Sequence, residues 1–214
     1  IGVDGRRDAD RIVTVLREID ADVIALQECD YRFGERESVL PKAMLDDTPW
    51  RAAPVNKRAR SLGWHGNALL VRRDIEIAAA HPLDLPTLEP RGAVSADLLV
   101  EGVPLRVVGM HLDLSGLRRR DQIRAVLRHC EVCGAACPTV MMGDFNQWGR
   151  ANGVLREFAD GWATPSLGNS FPSRRPIAPL DRIVHSPEWT CHSAGVHHSA
   201  LAAAASDHLP VKAM

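Results

Sequence analysis

Thr139-Val140-Met141-Met142-Gly143-Asp144-Phe145-Asn146-Gln147-Trp148 is the stretch on which the reading of this chain turns. A short apolar run ends in a glycine, and two polar side chains, Asp144 and Asn146, follow two residues apart. A β-rich apolar run bounded by Gly predicts a buried strand at 139–142. Such strands belong to α/β or α+β sandwiches, and polar groups just past a strand end stand where active-site loops gather. A carboxylate and a carboxamide held together there suit a hard cation, a positioned water, or both. The same stretch also fits a surface turn capped by Asp and Asn. The decision therefore lies with the rest of the polar inventory.

Other apolar runs end the same way. Val23 to Leu26 predicts a buried strand with Glu28 beyond its far end, and Asn67 leads into a strand at 68–71. A hairpin of 93–100 and 105–110 turns at Glu101-Gly102 and runs out into His111. A strand at 180–184 carries Asp181, and Ser206-Asp207-His208 feeds the last apolar run. Two amphipathic helices lie between these strands. Residues 8–20 place Ile12, Val15, Leu16 and Ile19 on one face, and 117–133 does so with Ile123, Val126, Leu127 and Cys130. Shorter helices are expected near 36–46 and at 152–160, with loops over 84–91 and 163–179. The alanine-rich stretch 200–205 is uninformative.

With 214 residues, 45% apolar and 25% charged, a single domain over 1–214 is expected, large enough for a core that needs no staples. No window approaches the roughly 18 apolar residues of a membrane span. A net charge of −1 argues against gripping nucleic acid by bulk positive field and leaves room only for local patches. Arg118, Arg119 and Arg120 form one such cluster close to His111. Five cysteines, an odd number, speak against a full disulfide framework. Cys130, Cys133 and Cys137 lack the second pair of a zinc finger, and the first two continue a helical apolar stripe. Reduced core cysteines in a cytoplasmic protein are the expectation. The chain opens at Ile1 almost directly into a helix, which reads as a fragment whose native N-terminus lies upstream, so export stays open.

Set side by side, the strand-end polar groups are Glu28, Asn67, His111, Asp144, Asn146, Asp181, Asp207 and His208. Four carboxylates sharing one rim would repel unless a cation neutralised them. Oxygen donors favour Mg²⁺, Mn²⁺ or Ca²⁺ over zinc, and Mg²⁺ binds through one or two carboxylates plus substrate phosphate oxygens. That is an arrangement for phosphoester hydrolysis. The remaining seven histidines read as surface or satisfied core residues.

Leu26-Gln27-Glu28, Gly66-Asn67-Ala68, His111-Leu112, Gly143-Asp144-Phe145-Asn146, Leu180-Asp181-Arg182-Ile183 and Ser206-Asp207-His208 occur in this order across nearly the whole chain. As an ordered set they resemble the endonuclease/exonuclease/phosphatase superfamily of Mg²⁺-dependent phosphoesterases. The resemblance implies a four-layer α/β/β/α sandwich with two packed mixed β-sheets. It implies Glu28 as principal ligand of Mg²⁺ (or Mn²⁺), with Asp207 assisting. Asp144 would orient or deprotonate the attacking water, and Asn146 would hold that water or a phosphate oxygen. His111 would donate to the phosphoryl group, and His208, oriented by Asp181, would act as base or transition-state stabiliser. Asn67 would support the rim or touch phosphate. The family's first strand, ending in an Asn that helps hold the metal, should precede the first helix and is missing from this fragment, so weaker metal binding than in a longer form is expected.

There is no Gly-x-Ser-x-Gly elbow, no Gly-x-x-x-x-Gly-Lys loop and no Gly-x-Gly-x-x-Gly fingerprint, which removes serine hydrolases, nucleotide switches and dinucleotide enzymes. A metal-dependent phosphoesterase, monomeric, is the expectation. The alternative is a non-catalytic phosphate- or partner-binding module on the same scaffold. Ten aromatics in all (five Trp, four Phe, one Tyr) offer no obvious base-stacking platform. DNA and a lipid or inositol headgroup both stay open as substrates, with Arg91, Arg118, Arg174 and Arg175 as candidate phosphate contacts.

Overall fold

The computed structural model describes residues 2–31, 37–55, 60–87, 91–132, 137–149, 153–158 and 160–214. The first half runs α1 (Ala9–Ile19), β1 (Val23–Leu26), α2 (Lys42–Asp46), β2 (Trp50–Ala52), β3 (Ala68–Arg72), β4 (Glu76–Leu83) and β5 (Ala93–Val100). The second runs β6 (Val103–His111), α3 (Gly116–Val132), β7 (Thr139–Asp144), a 3-10 turn (Gly153–Glu157), β8 (Asp181–His185), β9 (Ala194–Val196), α4 (Ala200–Ala205) and β10 (Val211–Ala213).

Five strands form a mixed sheet in the order β4-β5-β6-β7-β8, with β6 and β7 parallel and the other neighbours antiparallel. A second sheet, β1-β3-β2, is antiparallel, and β9 and β10 pair as a ribbon. Period-two alternation decides which residues meet which layer. Val94, Ala96, Leu98 and Val107 point inward against Leu69 and Val71 of the second sheet. Their neighbours Ala93, Val108 and Met110, with Met141 and Val184, point outward to Ile123 and Val126 of α3. On the opposite outer face, Val13 and Leu16 of α1 and Leu45 of α2 cover Ala68, Leu70 and Trp50. The result is the four-layer α/β/β/α sandwich.

Both strands of the predicted hairpin are present, and its Glu101-Gly102 turn has positive φ at both residues, 51° and 79°. That is the twist two-residue hairpins favour. Elsewhere the expected elements shift. The helix near 36–46 contracts to Lys42–Asp46, because Pro41 fixes its start. The helix at 152–160 is a 3-10 turn over Gly153–Glu157 where described. Residues 200–205, low in sequence information, form α4, because alanine is the best helix former and Ser199 accepts a hydrogen bond from the Ala202 N–H at 3.0 Å. Strands β2, β4 and β9 went unpredicted. β4 lies at the edge of its sheet, where Pro82 and a run of alanines are tolerated but give no alternating signal. Cys29 is buried, Cys130 packs partly against the outer core, and Cys133 lies outside the described residues.

Two glycines set distances that the site depends on. A Cβ at Gly109 would stand 2.9 Å from Leu69 Cδ2 and 3.1 Å from Ala25 Cβ, so this residue lets the two sheets approach. Gly143 has φ +140°, and a Cβ there would lie 1.9 Å from the Met110 carbonyl oxygen, which is backbone and cannot yield. Gly109→Ala is expected to lower the free energy of urea unfolding by about 1–3 kcal/mol, the ordinary range for overpacking. Gly143→Ala is expected to lower it more, and an equal or smaller loss at Gly143 would contradict this account of its tightness.

Candidate active site

The site is built on the register of three adjacent strand ends. His111 at the end of β6 stands opposite Asp144 at the end of β7, and Asp144 stands opposite Asp181 at the start of β8. All three are buried. His208, from the segment after α4, adds a fourth member: its Nδ1 lies 2.8 Å from Asp181 Oδ2. Asn146 has φ +50° and folds back, its N–H donating to Asp144 Oδ1 at 2.8 Å and its Nδ2 to the Leu112 carbonyl at 2.8 Å. The Asn146 amide oxygen is therefore left as the acceptor for anything entering the site.

His111 Nε2 contacts Arg91 Nη1 and lies 3.3 Å from Asp144 Oδ2. Facing a guanidinium this nitrogen accepts, whereas facing a carboxylate it must carry a proton. Arg91 also donates to the Leu112 carbonyl at 3.1 Å, which fixes the guanidinium on this end of the sheet. Burial alone would raise the pKa of Asp144. The hydrogen bond and charge of His111, the charge of His208 and the Asn146 N–H outweigh it, and the carboxyl is held below its ordinary range. Burial likewise opposes charge on His208. Its bond to Asp181, with the charges of Asp181, Asp144 and Asp207, prevails and raises it to about 9. In neutral solution Asp144 is thus ionised and His208 charged.

The other predicted residues stand around this row. Glu28 follows β1 in the left-handed region with φ 52° and is exposed. The Cys29 N–H donates to the Gly66 carbonyl at 2.9 Å, which ties the Glu28 turn to the one carrying Asn67. A cleft lined by Gln27, Glu28, Cys29 and Ser206 joins β1's end to the segment of Asp207 and His208. An apolar cavity of about 390 Å³ reaches Gln27, Gly143, Asp181 and His208. Arg174 is exposed beside Ser173, whose N–H donates to the Asp207 carbonyl at 2.7 Å. Arg118, half-buried in the first turn of α3, makes no hydrogen bond or ion pair to the His111–His208 row among the described residues.

The residues present fit a hard cation in part. Asn67 is buried, its Nδ2 faces the Trp64 and His65 carbonyls, and its Oδ1 has no hydrogen-bond partner. Glu28 and Asp207 are exposed carboxylates. Among the described residues, no three His, Cys, Asp or Glu side chains close around one point. Mg²⁺ does not require such a cage, since it keeps several waters and takes one or two carboxylates.

Sequence reasoning missed the roles of four residues here. Ser170 is fully buried and donates to Asp181 Oδ2 at 2.5 Å, so this oxygen serves both Ser170 and His208. A lone serine in a Pro/Ser/Gly loop carries no signal of that role. Arg119, not Arg118, turns back from α3 to donate to the Asp113 and Leu114 carbonyls at 3.1 and 2.6 Å, and burial lowers its pKa against the pull of Asp113 and Asp144. Phe171 lies 4.8 Å from the His208 ring and Trp148 6.1 Å from Phe171.

A two-sheet α/β sandwich with acid–imidazole pairs at the strand ends of one rim defines a class of hydrolase scaffolds. A family model described as Endonuclease/Exonuclease/phosphatase family matches residues 2–208. The chain belongs to that family, and so to a superfamily of phosphoester hydrolases. Among solved structures, an endonuclease/exonuclease/phosphatase from Bacteroides vulgatus is 17% identical with a TM-score of 0.74, over 97% of this chain and 89% of that one. D. rerio TDP2 complexed with single strand DNA product is 17% identical, TM-score 0.73, over 99% and 94%. Bacteroides thetaiotaomicron mannosyl-6-phosphatase Bt3783 is 18% identical, TM-score 0.73, over 96% and 90%. At these identities the likeness is one of fold. No curated protein matches the chain. No described helix is long and apolar enough to cross a membrane.

Because the folded value of His208 is raised, its pairing with Asp181 contributes stability in full below the ordinary value near 6.5 and loses it as pH rises through about 9. Proton NMR of the His208 ring in wild type is expected to titrate near the upper value. In Asp181→Asn, burial opposes the charge with less to offset it, and the midpoint is expected to fall to about 6.5 or below. An unmoved midpoint would refute the assignment of Asp181 as its partner.

Proposed function

We propose that the protein is a divalent-metal-dependent phosphoesterase that hydrolyses a phosphodiester or phosphomonoester by in-line attack of water. The observation that carries this reading is the unbroken row His111–Asp144–Asp181–His208, with Asn146 anchored beside it. Asp144, held ionised, accepts a proton from the attacking water or orients it. Asn146 accepts a hydrogen bond from that water through its free amide oxygen while Leu112 holds its NH₂ group. His208 engages Asp181 through Nδ1, which leaves Nε2–H to donate to a phosphoryl oxygen where charge develops. Arg91 and His111 hold a second oxygen, and Arg174 and Arg118 reach outlying phosphates. Glu28 and Asp207, with Asn67 in support, would hold Mg²⁺ or Mn²⁺. The cation would supply Lewis-acid polarisation of the phosphoryl group.

Solved relatives named for a single-strand DNA product and for a mannosyl-6-phosphatase leave diester and monoester chemistry both within the scaffold's range. Among the described residues, Cys29, Cys137 and Cys191 are free thiols, which suits a reducing, cytoplasmic setting. The second reading is a phosphate-binding module on the same scaffold without turnover.

A generic bis-aryl phosphodiester separates the two. Turnover with Mg²⁺ is expected to vanish with chelator and to fall by on the order of 10²–10⁴-fold in Asp144→Ala. Chelator-insensitive background that is equal in wild type and Asp144→Ala would leave the binding module. Glu28→Gln is expected to raise the Mg²⁺ concentration needed for half-maximal rate, with the unfolding midpoint unchanged. An unaltered Mg²⁺ requirement would remove Glu28 from the ligand set.

A further inference from the structure

Four of the nine exposed large apolar side chains among the described residues gather at one end of the sandwich. Leu114, Leu117, Trp148 and Ile177 are 61% to 75% exposed. All four stand on segments that leave the catalytic end of the sandwich. Leu114 and Leu117 follow β6 within six residues of His111, and Trp148 follows β7 two residues after Asn146. Ile177 belongs to the turn closed by its own N–H donating to the Phe171 carbonyl at 2.8 Å, and Phe171 bridges Trp148 and His208. Isolated exposed apolar residues need no explanation, but several on one rim mark a surface that meets an apolar phase.

Cations accompany them. Arg118 is next to Leu117, and the exposed Arg174 and Arg175 precede Ile177 by two or three residues. Among the described residues none of the three arginines forms an ion pair. The exposed carboxylates of the same strand ends, Glu28 and Asp207, are those assigned to the cation. The three arginines outnumber these two carboxylates even with no cation bound.

We propose that this rim docks on an anionic phospholipid bilayer, with Leu114, Leu117, Trp148 and Ile177 entering the headgroup–acyl boundary and the arginines meeting lipid phosphates. It follows that the substrate of the proposed site is a phosphoester presented at such a surface. The inference rests on the phosphoesterase reading for the substrate but not for the docking. Aliphatic side chains decide between a bilayer and a nucleic acid. Leu and Ile offer no π-face for bases, and the chain's net charge of −1 supplies no long positive track, whereas Trp with aliphatic and cationic neighbours is the composition of interfacial anchors.

Binding to vesicles of roughly one part phosphatidylglycerol to two of phosphatidylcholine tests this, by co-sedimentation in EDTA so that turnover plays no part. Wild type is expected to bind, with a blue shift of tryptophan emission that Trp148→Phe removes. The triple variant Leu114→Ser/Leu117→Ser/Ile177→Ser is expected to lose at least about tenfold in partitioning, with its circular dichroism unchanged. Val103→Ser/Val132→Ser is the control, since both residues are exposed at the far ends of β6 and α3, away from the rim. No binding by wild type, or equal loss in the control, overturns the proposal. So does binding of a single-stranded oligonucleotide, in place of vesicles, that the triple variant loses. Hydrolysis of a soluble phosphodiester with Mg²⁺ and no vesicles is unchanged in the triple variant if both readings hold. Its absence in wild type would sink the phosphoesterase reading and leave the docking result standing.

Discussion

The structure depends on the register of β6, β7 and β8. Parallel pairing of β6 with β7 and antiparallel pairing of β7 with β8 bring His111, Asp144 and Asp181 into one cross-strand row. A slip of one residue in either pairing would exchange inward and outward faces, burying Asp144 in the core and turning Met141 to the wrong layer. The apolar alternation that fills the two cores is therefore also what aligns the acids and the imidazole. Gly143 makes the alignment possible at the last step, since only a residue without Cβ fits against the Met110 carbonyl where β7 reaches its end.

Burying two carboxylates side by side is unfavourable unless each is compensated. Here the compensation is divided. Asp144 is met by His111, by the Asn146 N–H and by the field of His208, and Asp181 by Ser170 and His208. The two pairs are not equivalent. His111 shares its Nε2 between Asp144 and Arg91, so its role turns on where one proton lies. His208 has a single carboxylate partner fixed from behind by Ser170, and its charge is stabilised well above neutrality. That asymmetry suits a donor on one side of the site and a proton acceptor on the other.

Much of this was legible because strand ends in a sandwich are marked twice, by the apolar run that stops and by the polar group that follows. Glu28, Asn67, His111, Asp144, Asn146, Asp181 and His208 all carry that double mark. Residues acting through a partner do not. Ser170 lies in a loop whose position is set by Phe171–Ala178 bridging and Ser173 bonding to the Asp207 carbonyl, contacts between segments far apart in sequence. The arginine cluster shows the limit from another side. Arg118, Arg119 and Arg120 look alike as a run, but helical spacing sends Arg119 to the Asp113–Leu114 carbonyls and Arg120 to Glu157. β4 was missed because an edge strand needs no alternation strong enough to survive a proline.

The row from His111 to His208 is buried and bonded, whereas Glu28 and Asp207 are open to solvent. A closed cage of carboxylates would bind a hard cation tightly and leave it few free positions. One or two exposed carboxylates bind it weakly, and phosphate oxygens can complete its shell. In the proposed reading, affinity for the cation would then rise when substrate is present, by mutual linkage. The same open face carries Trp148, Leu114 and Ile177 on its rim, so what presents the phosphate would also cover the side from which water enters. Drying that side strengthens every charge pair within. In the proposed reading, a rigid acid–imidazole row paired with an open face is thus a coherent design, in which the phosphoester itself would complete the electrostatics of the pocket it enters.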